Sequence, residues 1–110
     1  MANNFINRIS GSIGDSELTV YSTPGGTTTT LIGVSVANRV QNNISVDVRI
    51  TTTAGGSAYL CTGSLVTPGS NIILVGGDQK VVLTGGDAVL VKSSEATSAD
   101  VIISALEITP

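Results

Sequence analysis

Apolar and polar residues alternate most regularly in residues 44–51, where every even position is a β-branched aliphatic and every odd position is polar. A period of two predicts an extended strand whose even positions face a core and whose odd positions face solvent. Residues 31–38 repeat the alternation, and there the pattern predicts that Ile32, Val34 and Val36 face inward. These two segments are the clearest strands of the chain.

Glycine, proline and asparagine turns interrupt the chain at intervals of roughly 8 to 14 residues, which leaves room for one strand between successive turns. We predict further strands at residues 18–22, 57–62, 71–75, 80–83, 88–93 and 101–109. The fold class is therefore all-β: an antiparallel β-sandwich, of the jelly-roll or immunoglobulin-like kind, with about eight short strands and an extended N-terminal arm.

The last predicted strand differs from the others because Val101, Ile102 and Ile103 are apolar on both faces. Such a strand is expected to be covered on both sides, which places it centrally in a sheet or at an interface. Residues 94–100 before it are small and polar and are predicted to form a loop. A competing amphipathic helix over 93–99 is short and built of weak helix formers.

Residues 1–16 lack the turns that punctuate the rest of the chain, and we predict that they form an N-terminal arm beside a sandwich domain of residues 17–110. Phe5, Ile6, Ile9 and Ile13 are scattered through this arm. Four large apolar side chains on an isolated arm would be poorly solvated, so the arm is expected to lie on its own sandwich or on a partner. These four residues are the candidate partner contacts.

The charge balance excludes several classes of partner. Five Lys and Arg against eight Asp and Glu give a net charge of -3, which offers no basic surface for nucleic acid or an anionic membrane. The longest apolar runs have three or four residues, far fewer than the roughly 20 that span a bilayer. The first residues also lack a secretory signal pattern, so we expect folding in a cytoplasm.

Chemistry-bearing residues are scarce. The chain has no histidine and one cysteine, so imidazole-dependent catalysis and zinc sites are excluded, and we predict no catalytic residues, no metal and no cofactor. Cys61 is expected to be a small buried hydrophobe. The two Gly-Gly-Asp triplets at 76–78 and 85–87 lack the ligands of a calcium loop and the ending of a phosphate loop, which indicates ordinary turns. The threonine run 27–30 is predicted to start a strand.

Six blocks of the chain, most of them turns with their flanking strands, form a recognisable set. They are Leu18-Thr19-Val20-Tyr21-Ser22-Thr23-Pro24-Gly25-Gly26, Ile32-Gly33-Val34-Ser35-Val36-Ala37-Asn38, Ser45-Val46-Asp47-Val48, Val66-Thr67-Pro68-Gly69-Ser70, Gly76-Gly77-Asp78-Gln79-Lys80-Val81-Val82-Leu83, and Gly86-Asp87 followed by Val91-Lys92-Ser93-Ser94. In these blocks the sequence resembles small virion structural proteins of tailed bacteriophages, especially marine and cyanobacterial ones, and the likeness covers roughly residues 18–109.

The resemblance implies a non-enzymatic β-sandwich located in a virion and assembled in the cytoplasm of a host bacterium. Its expected function is that of a capsid decoration or cement protein that bridges major capsid subunits and self-associates as a trimer or dimer. A neck, tail, baseplate or fibre component is the alternative within the virion. A carbohydrate-binding module is a further alternative, although three aromatic residues provide little surface for stacking sugars.

Overall fold

The computed structural model describes residues 2–76 and 80–109, which form nine β-strands and no helix. The strands are β1 (Ala2–Ile13), β2 (Leu18–Ser22), β3 (Thr28–Asn38), β4 (Ile44–Thr51), β5 (Ser57–Val66), β6 (Asn71–Val75), β7 (Val81–Leu83), β8 (Ala88–Ser93) and β9 (Ala99–Thr109). Each predicted strand is present, and β1 is additional to the eight predicted.

The strands form two antiparallel sheets. The five-stranded sheet has the order β1-β9-β3-β6, with the short β7 also paired to β3, and the four-stranded sheet has the order β2-β8-β4-β5. The two sheets enclose one core, so the all-β antiparallel sandwich predicted from the sequence is confirmed. Strand β9 lies between β1 and β3, a central position in the sheet, but its start is not covered on both faces within the chain, because Ile102 is 49% exposed.

The core is aliphatic, with valine as its main component, and Tyr21 is the one aromatic residue in the buried cluster. Val46 and Val48 of β4 are both 0% exposed, and Ile50 packs against the cluster at its edge. The alternation in residues 44–51 therefore predicted the buried face of β4 correctly. The odd positions face away from the core, although Asp47 and Arg49 are half-buried by their neighbours.

In β3, the predicted position of Ile32 on the inner face is wrong. A β-bulge between Leu31 and Gly33 shifts the register against β9 by one residue. Leu31 is therefore fully buried, Val34 and Val36 are buried as predicted, and Ile32 is only half-buried at the bulge. One extra residue exchanges the two faces of a strand, because side chains alternate with a period of two.

The N-terminal segment is part of the five-stranded sheet. Strand β1 pairs antiparallel with β9 from Ala2 opposite Thr109 to Ile13 opposite Ala99, with an irregularity between Ser10 and Ile13. This pairing places the segment on its own sandwich, one of the two placements expected for it. The division of the chain into an arm of residues 1–16 and a domain of residues 17–110 remains a prediction.

The connections agree with the turn predictions where the structure describes them. Residues 94–98 form a loop rather than a helix. In the turn before β8, Gly86 has a φ of +89°, and the Asp87 carboxylate accepts hydrogen bonds from the backbone N–H groups of Thr84 and Thr53. Gly77 and Asp78 of the first Gly-Gly-Asp triplet lie outside the described residues.

Candidate interaction surface

A row of apolar side chains crosses the outer face of the five-stranded sheet. Ile9 of β1 lies opposite Ile102 of β9, which lies opposite Ser35 of β3, which lies opposite Ile73 of β6. Directly opposed residues project to the same side of a sheet. Ile9, Ile102 and Ile73 are 68%, 49% and 69% exposed, so this first row presents three isoleucines to solvent.

A second row runs parallel to the first. Phe5 of β1 lies opposite Leu106 of β9, which lies opposite Thr30 of β3, which in turn lies opposite Val82 of β7. Phe5 is 79% exposed and Val82 62% exposed. Leu106 and Thr30 between them are half-buried. The second row therefore carries exposed apolar groups at both ends.

Small and polar residues separate the two rows. Asn7 of β1 pairs with Ser104 of β9, and Ser104 pairs with Gly33 of β3. Gly33 and Ser104 line an open pocket of about 270 Å³, with Ile73 and Ile102 of the first row among the other lining residues. We call the two rows and this trough the outer apolar face.

The outer apolar face contains no charged residue. Its rows and trough consist of isoleucine, leucine, valine, phenylalanine, serine, threonine, asparagine and glycine. Asp100 lies on the same side of β9 but beyond the first row, and its carboxylate is 3.7 Å from the Arg39 guanidinium. The electrostatic field over the rows themselves is therefore weak.

The opposite side of the sandwich has a different chemistry. On the outer face of the four-stranded sheet, the Arg49 guanidinium donates two hydrogen bonds of 2.7 Å to the Glu17 carboxylate. These bonds lower the pKa of Glu17 from its ordinary value. On the same face Asp47 lies opposite Lys92. Tyr59 and Leu65 are exposed there as well, but in strand β5 at the sheet edge.

The four residues predicted as partner contacts do not form one surface. Phe5 and Ile9 lie on the outer apolar face, one in each row. Ile6 points to the opposite side of β1 and packs at the edge of the core. Ile13 is 1% exposed within the core, so its side chain is not presented to a partner by this conformation.

Three exposed residues of the face were not predicted from the sequence as contacts: Ile73, Val82 and Ile102. The only signal for them was the loss of alternation at the start of β9, where Ile102 stands between two apolar neighbours. Ile73 and Val82 lie in short strands whose faces depend on which strand they pair with. Their place in the rows therefore follows from the three-dimensional pairing alone.

A polar cluster links the two sheets through Tyr21. The Tyr21 hydroxyl lies 2.6 Å from Glu107 Oε2, to which it donates, and 2.8 Å from Thr29 Oγ1. The Arg8 guanidinium lies 5.9 Å from the centre of the Tyr21 ring. Burial, and then the bond to Glu107, raise the pKa of Tyr21 from its ordinary value. These contacts tie β2 of one sheet to β3 and β9 of the other, and we call the cluster the Tyr21 latch.

The described residues contain no group of three or more metal-ligating side chains, and no helix in them could cross a membrane. Asn38 lines a pocket of about 280 Å³ together with Arg39 and Pro68, and its side-chain amide donates to the carbonyls of Asn42 and Val66. Cys61 is half-buried rather than buried, and its thiol faces the Val46 carbonyl at 3.6 Å.

The aromatic residues also fail to form a sugar-stacking platform. Phe5 and Tyr59 are exposed on opposite sheets, and Tyr21 is buried. Sugar-binding sites of this type stack a ring face on one or more neighbouring aromatics. The structure therefore gives no support to a carbohydrate-binding module.

Comparisons with known proteins define the class of fold. Neither a family model nor a curated protein matches the sequence. A chain of the disulfide-linked pili of Bacillus endospore appendages is similar in structure, with a TM-score of 0.56 and 9% identity over 98% of this chain and 87% of that one. A chain of infectious bursal disease virus, Gx strain, has a TM-score of 0.50 and 8% identity over 96% of this chain. This chain spans about a third of that viral chain's length, 35%.

Proposed function

We propose that this protein is a non-enzymatic structural subunit of a virion, a capsid decoration or cement protein that bridges major capsid subunits of a tailed bacteriophage. The observation that carries the proposal is the outer apolar face. Exposed apolar side chains grouped on one face in this way are typical of surfaces that contact another protein. A subunit of a large assembly has such a contact permanently covered.

The rest of the molecule supports a scaffolding role. Polar side chains of the sandwich form the latch around Tyr21 and surface ion pairs such as Arg49–Glu17, and the described residues hold no group of three or more metal-ligating side chains. The similarity in fold to a chain of a virus agrees with this proposal, as does the sequence resemblance to small phage virion proteins. A neck, tail, baseplate or fibre component would use the same kind of surface.

The similarity to a pilus chain raises filament formation as a second candidate. That chain comes from disulfide-linked pili, and it matches this protein over most of both lengths. A linear filament joined by disulfides needs at least two linked cysteines in each subunit, whereas the sequence has Cys61 alone. One cysteine can join two copies and no more, so a disulfide-linked filament is not the function that we propose.

The proposal is tested by the number of copies in purified particles. Quantitative mass spectrometry of virions from the phage that encodes the chain should find hundreds of copies per particle, and cryo-electron microscopy should find the sandwich on the shell. A dozen or fewer copies would move the protein to the neck, tail or fibre. Its absence from washed, intact particles would overturn the virion role.

A further inference from the structure

The chemistry of the outer apolar face restricts what can cover it. We infer that it pairs with the same face of a second copy, so that two sandwiches stack through their five-stranded sheets. This inference does not rest on a virion role, because it concerns the purified chain alone.

The absence of charge on the face favours a copy of itself. In a two-fold interface each residue near the axis meets its own counterpart, so a charged patch would meet a patch of the same sign. Like charges brought together in this way strongly oppose association. The rows and trough have no charge to repel, whereas the opposite side of the sandwich presents Glu17, Asp47, Arg49 and Lys92.

The outer side of the five-stranded sheet is large enough for a stable dimer. Strand β9 has 11 residues, and it lies beside β1 and β3, with the shorter β6 and β7 beyond β3. With strand spacing and rise of ordinary values, this whole side measures about 36 Å by about 19 Å, or about 700 Å² per copy, with the outer apolar face in its middle and the Asp100–Arg39 pair at one end. A dimer would bury about 1,400 Å² in total, within the range of about 1,200 to 2,000 Å² typical of stable interfaces.

The shape of the face, two rows of side chains with a trough between them, is complementary to itself. Ile102 and Leu106, the β9 members of the two rows, are four residues apart, which separates the rows by about 13 Å. The trough of Gly33, Ser104 and Asn7 lies between them. A ridge of one copy can therefore lie in the trough of the other, as inner faces interdigitate when two sheets pack about 10 Å apart.

The test is sedimentation of the purified full-length chain from nanomolar to high micromolar concentration. We expect a reversible dimer. Ile102→Glu in the central strand β9, and Ile73→Glu in the edge strand β6, should each weaken dimerisation by about 100-fold or more, because each copy would bury an unpaired carboxylate in an apolar contact. Both side chains are exposed, so the variants should keep the circular dichroism spectrum and melting temperature of the monomer.

Leu65→Glu is the matched control. Leu65 is 61% exposed, close to the 69% of Ile73, and it lies on the outer side of β5, the edge strand of the other sheet. This variant should dimerise like the unmodified chain. A chain that remains monomeric at high micromolar concentration would overturn the inference, and so would a dimer that Leu65→Glu disrupts and the two face variants do not. Loss of particle binding in the face variants of a monomeric chain would assign the face to a different protein.

Discussion

Two isoleucines of β1 offer a direct measurement of how the N-terminal segment is attached. Ile13 is 1% exposed and belongs to the core, whereas Ile9 is 68% exposed on the outer face. Both belong to the same strand, so Ile→Ala lowers the local strand propensity in a comparable way at the two positions. Any difference in unfolding free energy between the two variants therefore reports the burial of Ile13.

The expected difference follows from the buried volume. Ile13→Ala removes three carbon groups at about 0.8 kcal/mol each, and the cavity left behind adds to that loss, for a total of about 3 kcal/mol. Ile9→Ala removes groups that are mostly in water already and should cost less than about 1 kcal/mol. A loss of about 3 kcal/mol is a large part of the roughly 5 to 15 kcal/mol that stabilises a domain of this size.

The assay is urea denaturation followed by circular dichroism, at a protein concentration low enough that dimerisation does not contribute to stability. With an m-value of about 1.5 kcal/mol/M, Ile13→Ala should lower the midpoint by about 2 M and Ile9→Ala by well under 1 M. Equal midpoints for the two variants would refute the reasoning. They would show that β1 is detached in solution and that Ile13 belongs to an arm free to reach a partner.

Three further predictions concern the sandwich itself. Val48→Asp should destabilise the domain by more than about 4 kcal/mol or prevent folding, because it places an unpaired charge at a fully buried position. Arg49→Ser should cost little, since it breaks only a half-exposed surface pair with Glu17. Thermal melts of the two variants check this contrast, and equal losses would contradict the register of β4. Tyr21→Phe should cost about 2 kcal/mol by removing the bond to the Glu107 carboxylate, measured by denaturant titration against the unmodified chain. Because the folded state raises the pKa of Tyr21, the stability that its neutral hydroxyl contributes should be complete below about pH 10 and be lost as the pH rises further, a decline that should be weaker in Tyr21→Phe.

The positions of the strands could be predicted from the sequence because the patterns that indicate them are local. The alternation of 44–51 depends on eight consecutive residues, and the glycine turns depend on fewer still. The error at Ile32 has a different origin. The bulge beside it is visible only in the pairing of β3 with β9, which brings together residues about 70 positions apart in the chain. No pattern within residues 28–38 marks where the extra residue is accommodated.

The pairing of β1 could not be predicted from the sequence either, because it too depends on contacts between residues far apart in the chain. Its partner is the last strand of the chain, and the consecutive apolar pair Phe5 and Ile6 disguises a period of two, because the two side chains project to opposite sides of the sheet. Asparagine, serine and glycine around them further weaken the pattern. The sequence showed which apolar residues would be poorly solvated on an isolated arm. Only the pairing of β1 with β9 shows that Ile13 is buried in the core and that Phe5 and Ile9 remain exposed.

The two outer faces of the sandwich show why a contact surface can be hidden in an ordinary β pattern. An outward position of a solvated strand is usually polar, so alternation of apolar and polar residues is itself the sign of one wet face. In β9 this contrast fails at Val101–Ile103, and a single failure means little, because isolated exposed apolar residues are common. The strand pairing shows that the failure at Ile102 is not isolated, because Ile102 has Ile9 on one side and, beyond Ser35, Ile73 on the other. Three exposed isoleucines from three strands therefore lie in one row across the sheet. Contact with water alone does not explain why apolar residues occupy all three positions.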